Sequence, residues 1–168
     1  MPQFARSTVT LAVLAALLVL GALWGWSAMT APLPGKTDAP TCVSRAVQAG
    51  DKVFPDMVTV SVLNAGERNG LASRTLQLFT DAGFGSGDTA NAPQNAEVAV
   101  AQIWSSDPDN PGVQLVRSWL GPRAEIVDRE GKGAGVVVVV GDEFEDLVKG
   151  ERAVKASDDA TVCPPPIA

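Results

Sequence analysis

The sequence contains no histidine and no tyrosine, and its two cysteines are the only thiols among 168 residues. Without histidine there is no Ser-His-Asp or Cys-His machinery, no His-ligated zinc and no imidazole switch near neutral pH. Positive charge is also scarce. Thirteen Lys and Arg stand against nineteen Asp and Glu, for a net charge of -6 and a pI near 4.6. That balance argues against nucleic acid as a partner and against electrostatic docking to anionic lipid heads. No cofactor motif and no cluster of metal ligands is recognisable, so neither a cofactor nor a metal is expected.

What the sequence does have is a long uncharged apolar run near its start. Residues 9–26 carry no charge, and residues 9–29 have the length needed to cross a bilayer as a helix, about 20 residues. The flanks give the orientation. The N-terminal amine and Arg6 precede the run, while Lys36 and Asp38 beyond it nearly cancel. The positive-inside bias then leaves a cytoplasmic stub, residues 1–8, and puts everything after the run outside the cell membrane, as a single-pass protein. Trp24 and Trp26 stand where an interfacial aromatic belt belongs. A cleaved signal peptide is the competing reading, but the apolar run exceeds the 7–15 residues usual for one, and no clean A-x-A follows it. Under either reading the rest of the chain leaves the cytoplasm.

Residues 30–40 read TAPLPGKTDAP. Prolines so spaced resist helix and favour extended polyproline II, so residues 30–41 are expected to be a semi-rigid stalk. An extracytoplasmic domain over residues 42–163 follows, with its core at 57–148 and a tail at 164–168. About 125 residues is an ordinary size for one domain. Cys42 and Cys163 lie at its two margins, and an even cysteine count outside the cytoplasm predicts a disulfide between them. No C-x-x-C spacing marks them as a redox pair.

Within the domain, residues 42–55 are expected to be irregular or partly helical. Residues 58–63 (VTVSVL) alternate as a strand, and Asn64 and Gly66 end it. Leu71, Leu76, Leu78, Phe79 and Ala82 then share a helical face, with Gly83 as the cap. Strands are expected at 84–89 and at 97–104 (EVAVAQIW), followed by the loop SSDPDNPG. A short helix over 113–120, a weak strand over 124–128 and a Gly-rich turn over 130–135 come next. Residues 136–140 are five valines, which predict a central strand buried on both faces. Residues 142–148 (DEFEDLV) suit a short helix or a turn, and 160–168 a Pro-rich end. The order is β-α-β-β-α-β-β. The fold class is α/β (α+β): a small mixed sheet of four to five strands covered by two helices, preceded by one transmembrane helix.

Val62, Leu63, Asn64, Ala65 and Gly66, followed by Gly70, Leu71 and Ala72, resemble the opening of the LytR C-terminal domain family. Gly83 and Phe84 match the pair that ends its helix. The valines at 136–140 with Gly141, Asp142, Glu143 and Phe144 match its closing strand. The resemblance spans residues 57–148; Ala65 stands where glycine is commoner, and Glu143 is inserted between Asp and Phe. It implies the stand-alone, membrane-anchored form seen in actinobacterial envelope proteins, without the cell-wall glycopolymer ligase domain that often accompanies the family. The implied role is support of cell envelope integrity, without known chemistry of its own.

Residues 64–70 (NAGERNG) form the best candidate binding loop. They join a strand end to a helix start, a common ligand position in α/β sheets. Asn64, Gly66, Arg68, Asn69 and Gly70 are its candidate residues, with helix amides and the Arg68 guanidinium suited to a phosphate or carboxylate. The bland alternative is that Asn64, Gly66 and Gly70 only supply turn geometry. Trp104, beside the 105–112 loop, belongs either to the core or to a sugar- or acyl-binding surface; Trp119, in a periodic helix, belongs to the core. The G-D-E-F string at 141–144 lacks the preceding glycine of a diguanylate cyclase motif. Asp107, Asp109 and Asn110 do not make a calcium loop, since prolines interrupt the ligand ladder.

The sequence therefore points to a non-catalytic module that binds cell-wall polymer, a lipid-linked precursor or an envelope protein. The alternative is a hydrolase or transferase acting on envelope glycan through Asp and Glu pairs such as Asp142 and Glu143. A purely structural partner in a membrane complex is a third reading.

Overall fold

The computed structural model describes residues 3–30 and 41–166, and within the first helix its side chains over 12–22 and 24–26. The chain divides into two units, Met1–Ala39 and Pro40–Ala168. The first contains α1, Gln3–Thr30, a helix of 28 residues. Its described large apolar side chains, from Val13 to Leu20 and at Trp24 and Trp26, are all exposed. Among the described residues no helix is long and apolar enough to cross a membrane. The helix expected over 9–29 is therefore present, but its passage through a bilayer is not carried by the described residues, whose side chains begin only at residue 12. The stalk expected from 30 to 41 lies, but for its two end residues, outside the described residues.

The second unit begins with two short strands, β1 (Arg45–Val47) and β2 (Lys52–Val53), and a 3-10 turn, Pro55–Met57. Then follow β3 (Thr59–Asn64), α2 (Leu71–Asp81), β4 (Gly85–Asn91), β5 (Ala101–Trp104), α3 (Pro111–Leu120), β6 (Ala124–Val127) and β7 (Val136–Val140). Two more short strands close the chain, β8 (Val154–Lys155) and β9 (Ala160–Val162).

The main sheet has five strands in the order β4-β3-β7-β5-β6. It is mixed: β4, β3 and β7 run parallel, and β5 and β6, parallel to each other, run against them. Two strand–helix–strand units, β3-α2-β4 and β5-α3-β6, thus flank the valine strand in opposite directions. The carboxyl ends of β3 and β4 form one end of the sheet, and those of β5 and β6 the other.

Alternation along the strands makes two cores. Val60, Val62, Ile103, Val138 and Val140 belong to the larger, with Leu76 and Phe79 of α2 and Leu115 and Val116 of α3. Leu63, Trp104, Val137 and Val139 form a smaller one on the other face, covered by Ala92, Ala96 and Val98 from connecting segments and by Val127 of β6. The valine run is central and buried on both faces, as its unbroken β-branched composition requires. Each helix starts where its sequence allows. Asn110 caps α3 by accepting from the Gly112 N–H at 3.0 Å, with Pro111 in the first turn, where no N–H is needed. Gly70 precedes α2 in the left-handed region at φ +76°. Trp119 packs against the larger core, edge-on to Phe84 with ring centroids 5.9 Å apart.

Several expectations need correction. The strand expected over 97–104 begins only at Ala101, because the backbone before it turns aside to serve the end of β7: the Gly141 N–H donates to Val100 O and the Glu143 N–H to Ala99 O. Residues 42–55 hold no α-helix but contain β1 and β2, and the Pro-rich end contains β9. β1 pairs with β9 and β2 with β8, both antiparallel. Of the two alternatives for residues 142–148, the turn is the one seen, at 142–143. Cys42 and Cys163 are joined, with Cα atoms 5.2 Å apart, and the bond clamps the two ends of the domain beside the β1–β9 ribbon.

Candidate functional site

The segment from 64 to 70 leaves the carboxyl end of β3 and enters α2, as its turn-forming residues require. Asn64 organises it. Its Oδ1 accepts from the Gly66 N–H at 2.9 Å, and its Nδ2 donates to Arg68 O at 2.9 Å. This is the local side-chain turn that asparagine offers at a strand end.

The loop amides face an anion, and the anion is the protein's own. The Asp142 carboxylate accepts from the Glu67 N–H at 3.0 Å and from the Arg68 N–H at 3.2 Å. Arg68 Nε lies 3.7 Å from the same carboxylate, and Arg68 Nη2 donates to the carbonyl oxygen of Phe144. Both side chains remain about half exposed, at 45% for Arg68 and 49% for Asp142. The Glu67 N–H, then the Arg68 N–H, hold the Asp142 carboxyl below its usual pKa; partial desolvation opposes this, and the Arg68 charge adds to it. Gly66 makes the arrangement possible, since a Cβ there would collide with Asp142 Oδ1. Gly66 and Arg68 are thus committed within the fold.

What stays open lies on the other side of the loop. A shallow crevice of about 220 Å³ is lined by Asn64, Gly70, Ala72, Ser73, Thr89 and Asn91. It sits between the carboxyl ends of two parallel strands, β3 and β4, against the start of α2. Gly70 offers no side-chain cap, and the first turn of α2 has no acidic residue. The start of α2 therefore borders the crevice with no side-chain cap and no acid to offset its positive end. Asn69 is exposed and does not line the crevice.

Trp104 is not part of this constellation. It pairs with Val137, while Asn64 pairs with Val140; three residues of strand, about 10 Å, separate the two levels. Trp104 is only 4% exposed, donates from Nε1 to Gln102 Oε1 at 3.1 Å, and carries the Arg129 guanidinium 4.1 Å from its ring centroid. Arg129 is held in turn by Asn95 Oδ1 at 3.0 Å. The tryptophan is core on the smaller face.

Sequence reasoning missed two features. One is Asp142 as the partner of the loop, although the G-D-E-F string contains it. The other is a cavity of about 150 Å³ at the opposite end of the sheet, lined by Thr59, Trp104, Ser105, Gly112, Gly135 and Thr161 among others. It lies where the second strand–helix unit turns from β5 into α3, and the SSDPDN loop is the signal for it. Among the described residues no group of three or more acidic or cysteine side chains is placed to hold a metal ion.

Residues 57–144 match the family described as LytR cell envelope-related transcriptional attenuator. The chain belongs to this family. The match runs from the 3-10 turn to Phe144 and takes in the loop, the valine strand and Asp142. The soluble domain of a conserved hypothetical secreted protein from Mycobacterium marinum, described as an Rv2700 ortholog, is a similar solved structure. It is 22% identical, covers 62% of this chain and 80% of its own, and superposes with a TM-score of 0.46. No curated protein matches the chain. An envelope-related family and a disulfide agree on an extracytoplasmic domain, because disulfides persist outside the reducing cytoplasm.

Proposed function

We propose that the protein is a non-catalytic module of the cell envelope, held at the membrane by α1 and binding a wall polymer fragment or lipid-linked precursor at the crevice beside α2. One observation carries the reading. The uncapped start of α2 opens onto a crevice at the carboxyl ends of two parallel strands, where α/β sheets place anionic and hydroxylic ligands. Phosphate and carboxylate groups are the chemistry that such an end favours, and both occur in wall precursors.

The enzyme reading finds less support. Asp142, the acid that holds the loop amides, has its pKa lowered by those amides and a guanidinium, the wrong direction for a general acid. It serves the loop as a tether.

The uncharged run from residue 9 to 26 supports a single-pass anchor with residues 1–8 in the cytoplasm. Alkaline extraction of membranes tests it: an anchored chain stays in the pellet, and a chain cleaved after the apolar run appears in the supernatant. Replacing Ser73 by Asp tests the crevice. It puts a negative charge in the first turn of α2, and it is expected to leave the protein folded and remove its ability to restore envelope integrity in cells lacking it. Full restoration by that variant would contradict the crevice.

A further inference from the structure

We infer that the surface over the carboxyl end of α3 is a docking groove for a protein segment carrying an apolar side chain next to lysine or arginine. This deepens the binding-module reading and rests on it, but uses a different surface from the crevice beside α2.

Val148 stands at the centre of this surface. It is 44% exposed, one of few large apolar side chains of the domain left in solvent. It is also held in place. Its N–H donates to Trp119 O at 2.8 Å, and it covers Gly121, where a Cβ would come within 3.2 Å of Val148 Cγ1. A groove of about 270 Å³ has Val100, Leu120, Phe144, Leu147 and Val148 in its lining. A second groove, of about 680 Å³, shares Pro122 and Val148 with it, so the two adjoin at these residues.

Charge selects the occupant. Glu145 and Asp146 stand in the lining of the first groove with no ion pair among the described residues. Arg123, also in that lining, lies 4.0 Å from Glu143 and is offset by it. The carbonyl end of α3 adds partial negative charge. Arg117 lines the neighbouring groove and Lys149 follows Val148, so the acidic end is the one formed by Glu145 and Asp146. An apolar floor with an acidic end fits a segment of opposite sign. It disfavours a phosphate-bearing polymer or an anionic lipid surface. It also disfavours a second copy of a chain whose own net charge is -6.

The experiment uses the full chain in detergent micelles and two fluorescent synthetic peptides, one alternating leucine with lysine and the other leucine with glutamate. Anisotropy is expected to show saturable binding of the lysine peptide, weakened by added salt, and none of the glutamate peptide. Val148→Asp, at an exposed position, weakens binding about tenfold or more. The double variant Glu145→Lys/Asp146→Lys loses the lysine peptide and gains the glutamate one. Equal binding of both peptides, binding of neither, or variants that bind as the parent does would overturn the inference. So would a concentration-dependent dimer broken by Val148→Asp, which would make the occupant a second copy. Wall-fragment shifts at 64–73 without peptide binding would remove this inference and leave the crevice reading intact. Peptide binding without those shifts would do the reverse.

Discussion

Gly66 lies against Asp142 so closely that a Cβ at position 66 would collide with the carboxylate that holds the Glu67 and Arg68 amides. The loop that leads into α2 and the segment after β7 are thereby locked together by two residues far apart in sequence. Gly66→Ala is expected to destabilise the domain by about 1–3 kcal/mol, the usual range for overpacking. The same substitution in an Asp142→Ala background should cost less, because the colliding carboxylate is gone and only the backbone N of residue 142, at 3.0 Å, stays close. Equal cost in both backgrounds, measured by denaturant unfolding, would separate the two residues.

The lock also predicts a pH dependence. Asp142 has its pKa lowered in the folded state. Its contribution to stability is therefore full above the unfolded carboxylate value and is lost as pH falls through the lower folded value. In amide NMR the Glu67 and Arg68 signals should titrate together at that low pH. In Asp142→Asn this shared step should vanish and the acid limb of the stability curve should flatten.

Two glycines share a left-handed backbone yet should respond differently to alanine. Gly70, at φ +76°, has nothing within 4 Å of where a Cβ would stand, whereas at Gly135, φ +70°, the added atom collides with the Thr59 carbonyl. Gly70→Ala costs only the left-handed strain, about 1–2 kcal/mol. Gly135→Ala adds a backbone collision between the start of β7 and β3, and should be clearly the more damaging in thermal unfolding.

The disulfide joins positions 121 residues apart. Cys42→Ser/Cys163→Ser is expected to cost about 2–5 kcal/mol, near the upper end if the chain-entropy account holds. The loss should fall first on the ribbons β1–β9 and β2–β8, whose short strands have little core of their own. Hydrogen exchange at Val47 and Val162 would register it ahead of exchange in β7.

Most of the sheet is legible in the sequence because its strands carry their pattern locally. The alternation of 58–63 and the five valines need no knowledge of partners, and the order β-α-β-β-α-β-β stands. What is not legible depends on distant pairing. β1, β2, β8 and β9 are too short to signal alone, and each pairs with a strand from the opposite margin of the domain, near the disulfide. The truncation of β5 depends on carbonyls of residues 99 and 100 serving residues 141 and 143. At the candidate site, the turn roles of Asn64 and Gly66 are readable, and so is the capacity of the loop amides to hold an anion. That this anion is Asp142, 75 positions from Glu67, cannot be read from local sequence. Trp104 is ambiguous in the sequence because its burial depends on Arg129 and on the segments covering the smaller face.

The central claim is that the crevice beside α2 binds an envelope ligand. The most direct measurement is amide NMR of the full chain in micelles during titration with wall fragments and with a short-chain polyprenyl phosphate. Saturable shifts confined to residues 64–73 and 89–91, and absent in Ser73→Asp, are the predicted result. No shifts with either probe, or shifts that persist unchanged in Ser73→Asp, would contradict the account.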